Sequence, residues 1–277
     1  MKMKQELAVV ERIAREAGQI ALRHFGHVAR LTKTHAAATE EAVTIADRLT
    51  QKFIIDALRL EFPGDGIVGE EDESGAGITF DVSNTDGRVW VIDPIDGTNN
   101  FIAGFGAWCV CIGLLEAGVP TLGVVYDVTR DTAYCGAKDV GAFVNDRPVC
   151  ASTEPMGPQS LVMLTSNVLD RNNKSPSWIT SLLGQTHWKI RILGSAALEA
   201  VHVAAGTVQA AVTVNGKIWD CVAPGAVVLA SGGIITDLTG KPIFPFDLRN
   251  YVGAKVPFLA GGKVSHGEVL RVINAQG

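Results

Sequence analysis

The chain has 277 residues, 47% hydrophobic and 19% charged, which is enough apolar surface for one large domain or two modest ones and excludes a disordered chain, a coiled coil or a collagen-like repeat. Lys and Arg number 24 against 29 Asp and Glu, a net charge of −5 with no Lys/Arg-rich run, which argues against a nucleic-acid partner. An anionic substrate remains admissible, because bound metal ions can supply the positive charge that side chains lack.

Residues 5–25 carry Leu7, Val10, Ala14, Ala17, Ala21 and Phe25 at steps of three and four, with Gly26 beyond; this predicts an amphipathic helix with a glycine cap. The polar stretch 32–42 reads as a loop. A second helix is expected over 44–60, with Leu49, Phe53, Ala57 and Leu60 on one face, Asp47 in its first turn and Pro63-Gly64 as its stop. Ile67-Val68 is a short strand leading into the acidic run at 69–75, and 72–88 reads as a mobile surface loop. Residues 89–92 form an apolar strand ending on Asp93. The β-rich runs 108–116 and 121–126, separated by 117–120, predict a hairpin. Further strands are expected at 132–135 and 141–144, with Asn145-Asp146 as a turn.

Composition shifts at 151–160, the expected boundary between an N-terminal α+β half (1–150) and a C-terminal α/β half (151–277). In the second half, strands are predicted at 161–165, 208–214 and 234–237, and helices at 195–205 and 221–230. No internal repeat is visible. The whole reads as α+β, helices layered on sheets.

The five cysteines, Cys109, Cys111, Cys135, Cys150 and Cys221, are odd in number and show no repeated CxxC spacing, as expected of buried thiols in a reducing compartment. The N-terminal residues lack the apolar run of a signal peptide. The longest nearly apolar stretch, 222–235, is interrupted by Pro224, Gly225 and 231–233 and is too short to span a bilayer. A soluble cytoplasmic protein with no membrane partner is expected.

Five acidic residues stand out by position. Glu70 and Glu71 follow a short strand, Asp93 and Asp96 (VIDPIDGT) follow a longer one, and Asp220 (KIWDCVAPG) begins a helix. Singly, each has an ordinary explanation: a turn dipeptide, a solvated acidic bump, a helix cap. If the strand ends lie side by side, however, the carboxylates cannot all stay ionised without cations. Ligation by oxygen alone favours Mg²⁺ or Mn²⁺. An EF-hand loop is excluded, because Ile95 and Gly97 fall where oxygen side chains are needed. Gly97 allows backbone N–H groups to approach a phosphate, with a helix beginning at Thr98. The Thr98 hydroxyl could orient a water and Asp47 accept its proton.

GEE at 69–71, DPIDGTNNF at 93–101 and WD at 219–220, with VTIAD at 43–47 and GSAALE at 194–199, resemble the inositol monophosphatase family of Mg²⁺-dependent, lithium-sensitive phosphatases. The resemblance spans about residues 7–265. It implies a layered αβαβα sugar-phosphatase fold, a homodimer, and hydrolysis of a small phosphorylated metabolite of the inositol or sugar monophosphate class. It assigns two to three Mg²⁺ to Glu70, Asp93, the Ile95 carbonyl, Asp96 and Asp220, and phosphate contacts to Gly97 and Thr98. Thr98 and Asp47 would position the attacking water beside Glu71, with Gly194, Ser195 and Ala196 against the rest of the substrate.

Two departures bear on the substrate. Thr213 stands where inositol-specific members carry a glutamate, and Ala36 stands where a lysine is expected, with Lys33 the nearest candidate. Fructose-1,6-bisphosphate, histidinol phosphate and 3′-phosphoadenosine 5′-phosphate are therefore the rival substrates. A metal-bound regulatory protein with little turnover is the rival of another class. Lys189, Arg191 and Lys217 are candidates for a second phosphate, though such residues are more often solvated charges. His187 and His202 read as surface and helix residues, Trp108, Cys109 and Cys111 as strand core, and Pro224 as shaping the first turn of its helix.

Overall fold

The computed structural model describes residues 2–26, 45–72, 78–169, 174–184 and 187–275. Its first sheet is built from β1 (Gly66–Gly69), β2 (Thr79–Asp81), β3 (Arg88–Asp96), β4 (Cys109–Glu116), β5 (Val119–Asp127), β6 (Thr132–Ala137), β7 (Gly141–Val144) and β8 (Arg147–Val149), in the order β2-β1-β3-β4-β5-β6-β7-β8. α1 (Lys2–Leu22) and α2 (Ile45–Glu61) cover one face, and a short α3 (Thr98–Ala103) follows β3. The second sheet takes β9 (Leu161–Leu164), β10 (Lys189–Arg191), β11 (Ala210–Thr213), β12 (Ile234–Thr236) and β13 (Phe258–Gly261), in the order β10-β9-β11-β13-β12.

α5 (Ala196–Ala204) and α6 (Trp219–Ala230) lie between the sheets, and α4 (Ser177–Gly184) and α7 (Ser265–Asn274) cover the outer face of the second. The result is the expected five-layered αβαβα stack. The alternating sides of each strand explain it: Trp90, Ile92, Val110 and Ile112 turn toward α1 and α2, while Val89, Val91, Cys109 and Cys111 turn toward α5 and α6.

α6 sits unusually close to the first sheet. Gly113, Gly123 and Gly136 face one another across β4, β5 and β6. A Cβ on Gly123 would stand 2.1 Å from the Ala223 carbonyl oxygen, one on Gly113 2.7 Å from the Ala223 nitrogen, and one on Gly136 2.6 Å from the Val227 Cα. Helix backbone therefore rests on bare strand backbone. Pro224 lies inside α6, and the helix runs on past it to Ala230.

Three expectations are corrected. The apolar face of α2 is not its inner one: Leu49 and Leu60 are exposed, Phe53 and Ala57 are half-buried against the core, and the buried set is Ala46, Asp47, Thr50, Gln51, Ile54 and Leu58. Polar residues that belong to the site turned the helix, so its apolar stripe misreports its inner face. The expected loop at 72–88 contains β2, an edge strand antiparallel to β1, and ends inside β3. Cys150 is exposed, whereas the other four thiols are buried. β8, β10, β13, α4 and α7 have no counterpart among the predicted elements. Lys33, Ala36, Val43, Thr44 and the 32–42 stretch lie outside the described residues. Among the described residues no helix is long and apolar enough to cross a membrane.

Candidate active site

β1 and β3 run parallel, as do β9 and β11, and all four aim their C-terminal ends at one open cavity of about 220 Å³. Strand ends of this kind are where layered α/β sheets hold ligands. Asp93 and Asp96 flank a break in the β3–β4 ladder, where Asp93 opposes Cys111 and Asp96 opposes Cys109. Pro94, with no N–H to donate, falls within the break. Asp93 Oδ1 accepts a hydrogen bond from the Ile95 amide (3.0 Å), and the Thr98 hydroxyl donates to the Ile95 carbonyl (3.0 Å). Gly97 then adopts a φ of 94° at the start of α3. A side chain there would be strained, and its Cβ would lie 2.9 Å from the Ala107 carbonyl oxygen.

Asp220 enters from the other sheet, in the first turn of α6, where its Oδ2 accepts from the Lys217 amide (2.7 Å). Carboxylate oxygens of Asp93, Asp96 and Asp220 all lie within 4.8 Å of one another. Burial, followed by the charges of Glu70, Asp96 and Asp220, pushes the Asp93 carboxyl well above the usual range. Burial and Asp96 push Asp220 up to about 7. Burial also raises Asp96, opposed by hydrogen bonds from the Ser195 hydroxyl (2.5 Å) and the Ala197 amide (2.8 Å). So many desolvated carboxyls side by side are stable only when protonated or when a cation lies among them. Among the described residues no histidine or cysteine lines the cavity. The donors are carboxylates and the Ile95 carbonyl, a set suited to a hard divalent cation and not to zinc.

Glu70 and Glu71 extend the wall beyond β1. The Glu70 amide donates to the Ile92 carbonyl (3.2 Å), which prolongs the parallel pairing by one residue. Glu71 is held by a residue the sequence reading passed over. The Gln51 side chain, one helical turn beyond Asp47, accepts from the Glu71 amide (3.1 Å) and donates to the Glu71 carbonyl, which also accepts from the Thr79 hydroxyl (2.6 Å). Its amide plane lies against Gly69, where a Cβ would stand 2.7 Å from Gln51 Oε1. Gln51 thus acts as a strand neighbour supplied by a helix. Replacing it with methionine, similar in shape but without polar atoms at its end, should leave the Glu71 amide buried and unpaired. We expect a loss of ~1–3 kcal/mol in stability and faster hydrogen exchange at Glu71, with unchanged values for both contradicting the role.

Ser195, expected against the substrate, is instead buried as the N-cap of α5, accepting from the Leu198 amide (3.3 Å) while it donates to Asp96. Gly194 and Ala196, on either side of it, do line the cavity. Glu199, also unforeseen, accepts from the Leu193 (2.8 Å) and Gly194 (3.1 Å) amides and so shapes this turn; burial pushes it up to about 7. Asp47 is buried in the first turn of α2 and is not among the cavity-lining residues.

The opposite wall is polar and uncharged: Thr165, Ser166, Asn167, Thr213 and Asn215. Thr213 is fully buried, and among the described residues its hydroxyl has no hydrogen-bond partner. Asn215 is braced by donating to the Asn167 carbonyl (2.6 Å) and accepting from Lys255 Nζ (2.5 Å). Lys189, Arg191 and Lys217 do not line the cavity; Lys217 lies over the Trp219 ring at 5.1 Å. His187 is exposed, and His202 sits in α5 with its ring against Tyr134.

Residues 2–275 match the model of the inositol monophosphatase family. Inositol monophosphatase 1 of Solanum lycopersicum is 31% identical over 93% of the chain and 92% of its own length. The fructose-1,6-bisphosphatase/inositol-1-monophosphatase of Thermotoga maritima is 31% identical over 95% and 93%. Nus factor SuhB of Xylella fastidiosa is 30% identical over 86% and 83%. Among solved structures, a Thermotoga maritima IMPase superposes with a TM-score of 0.82 at 30% identity, covering 98% of this chain and 97% of that one.

Proposed function

The chain belongs to the inositol monophosphatase family, and from that premise we propose a Mg²⁺-dependent phosphomonoesterase that releases phosphate from the monophosphate ester of a small polyol, inositol or a sugar. As a member of that family it is a phosphoric monoester hydrolase acting on phosphorylated small molecules, and the family is metal-dependent. The reading of the substrate rests on one observation: an acidic wall opposes a wall of neutral hydroxyl and amide groups, with no Lys or Arg lining the cavity among the described residues. A second phosphate would lack a counter-charge there, which disfavours fructose 1,6-bisphosphate. The ~220 Å³ volume suits a ligand of few heavy atoms.

Glu70, Asp93, the Ile95 carbonyl, Asp96 and Asp220 would hold two to three Mg²⁺. Bound Mg²⁺ supplies charge neutralisation at the phosphoryl oxygens and lowers the pKa of water. Thr98 would orient the attacking water; Asp47, buried outside the cavity lining, is assigned as acceptor of its proton by the family resemblance alone, with Glu71 in the cavity wall. Backbone N–H groups at Gly97 and Thr98 bind the phosphate. Ser195 holds Asp96 in place, while Gly194, Ala196 and the Thr213 hydroxyl meet the alcohol part. Each carboxylate has a ligand or orienting duty, so water attacks phosphorus directly, without a phospho-enzyme. The proposal extends to inhibition by Li⁺ and to a homodimer. The regulatory reading is disfavoured by the complete carboxylate set.

The test is phosphate release from inositol 1-phosphate, histidinol phosphate, fructose 1,6-bisphosphate and 3′-phosphoadenosine 5′-phosphate, each with Mg²⁺, with Mg²⁺ plus Li⁺, and with EDTA. Mg²⁺-dependent release from inositol 1-phosphate alone, abolished by EDTA, is the expected result. Release from none of them, nor from a hexose monophosphate, by metal-loaded protein would overturn it. A second expectation isolates Thr213. Thr213→Val keeps the shape and removes a buried hydroxyl that has no partner among the described residues, so stability should be unchanged or higher. If that hydroxyl bonds substrate, KM should rise ~10-fold with kcat retained; an unchanged KM would remove Thr213 from the substrate site.

A further inference from the structure

Two thiols stand behind the acidic wall. Alternate residues of a strand share a face, so β4 turns Cys109 and Cys111 the same way, opposite Asp96 and Asp93 respectively. Both are free, fully buried, and absent from the cavity lining. Their sulfurs lie 3.7 Å apart, and Cys109 Sγ is 3.7 Å from Asp96 Oδ2 and 3.6 Å from Ser195 Oγ. Ligand atoms of Asp96, Cys109 and Cys111 all fall within 4.8 Å of one another.

A tetrahedral zinc ion with bonds of ~2.3 Å to sulfur and ~2.1 Å to oxygen holds its sulfurs ~3.8 Å apart and a sulfur–oxygen pair ~3.6 Å apart. Two of the three edges match these values, and the third, from Cys111 to Asp96, lies within 4.8 Å and closes by a small side-chain adjustment on binding. We propose that Cys109, Cys111 and Asp96 form a site for a thiophilic divalent cation, Zn²⁺ or Cd²⁺, which shares Asp96 with the oxygen-only set proposed for Mg²⁺ and adds two sulfur donors behind it. Two sulfur donors select against Mg²⁺ and Ca²⁺. The fourth position falls to water or to Ser195.

Asp96 lines the cavity and provides the way in. On binding, each thiol gives up one proton to solvent, and the ion with two thiolates and one carboxylate leaves a net charge of −1. Binding also competes with the Ser195 and Ala197 donors for Asp96 Oδ2 and loosens the turn that Ser195 caps. Occupancy is therefore inhibitory; this second part rests on the phosphatase reading, whereas the binding itself does not.

The experiment is a titration of the full chain with Cd²⁺ in Mg²⁺ buffer, read by the ultraviolet sulfur-to-cadmium charge-transfer band. One Cd²⁺ per chain is expected, with the band lost in Cys109→Ala and in Cys111→Ala and kept in Cys150→Ser, which alters the exposed thiol. If Cys109→Ala does not fold, Cys111→Ala decides. Absence of the band in the wild type, or a band of full size in Cys111→Ala, would overturn the site. In parallel, Cys111→Ala should require ~10-fold more Cd²⁺ than the wild type for half-inhibition of phosphate release. Equal sensitivity would overturn the inhibitory part. If no ester is hydrolysed, the phosphatase reading fails and the charge-transfer result still stands by itself.

Discussion

Asp220→Asn should lower phosphate release by ~10³-fold or more and at the same time raise the melting temperature of the metal-free protein above neutral pH. The two effects share one cause. Burial and the Asp96 charge push the Asp220 carboxyl up to about 7 in the folded chain, against ~4 for a free aspartate, so the fold binds a proton that the unfolded chain has already released. Such a group stabilises the fold while protonated, and that stability drains away as pH rises from about 4 through about 7. Asparagine keeps the acceptor for the Lys217 amide without the charge. Its metal-free melting temperature should exceed the wild type's by ~5 °C at pH 8, with the gap closing below pH 4. Mg²⁺ should raise the wild-type melting temperature and raise the variant's less. Asp93→Asn should behave in the same direction, because burial and three neighbouring carboxylates raise Asp93 as well. Thermal melts with EDTA and with Mg²⁺ at pH 4, 6 and 8 check this. A variant with near-normal turnover, or one destabilised at pH 8, would remove the carboxylate cluster from its role.

Gly123→Ala is expected to be a severely damaging one-carbon change. The added Cβ would lie 2.1 Å from the Ala223 carbonyl oxygen and 2.9 Å from the Ala223 carbonyl carbon. Backbone of a buried helix cannot give way as a side chain can, so α6 must lift from the sheet. We expect a loss of at least ~3 kcal/mol, and, in whatever fraction folds, a displaced Asp220 with activity lost out of proportion to stability. Gly157→Ala, where nothing lies within 4 Å, should cost no more than ~0.5 kcal/mol. Urea denaturation of the two variants side by side decides the matter. Equal midpoints would mean that α6 is free to shift.

The site was legible where its chemistry is local in sequence. DPIDG places two carboxylates, a prolyl break and a glycine within five residues, and each has a distinct physical use at a strand end. WD marks a helix start with an apolar ring behind a carboxylate, and the structure has Trp219 buried edge-on to Tyr251. What stayed hidden is the supporting cast. Gln51 looks like any surface glutamine of an amphipathic helix, and its use depends on Gly69 and Glu71 arriving beneath it. Thr165, Ser166 and Asn167 are neutral residues with no spacing rule to flag them. Ser195 stands between two residues that line the cavity, which predicts the same of it, but the N-cap geometry turns its hydroxyl inward to Asp96. The same limit applied to the fold. β13 (FLAG) and β10 (KIR) are too short for a periodicity to emerge. In α2, burial of Asp47, Thr50 and Gln51 overrode the apolar stripe.

The row formed by Gly113, Gly123 and Gly136 also acts as a check on strand alignment. Hairpins can slip by one residue, and each slip exchanges one face of a strand for the other. A slip in β5 would bring Leu122 or Val124 beneath α6 in place of Gly123, and the helix could not dock. Only the alignment that lines up all three glycines leaves a trough for it. β3 pairs with β4 at Asp93–Cys111 and Asp96–Cys109, so the same alignment fixes two acidic residues relative to the helix that carries the third. A chain with misregistered hairpins could not seat α6, so correct alignment of the strands and correct spacing of the carboxylates depend on the same three glycines.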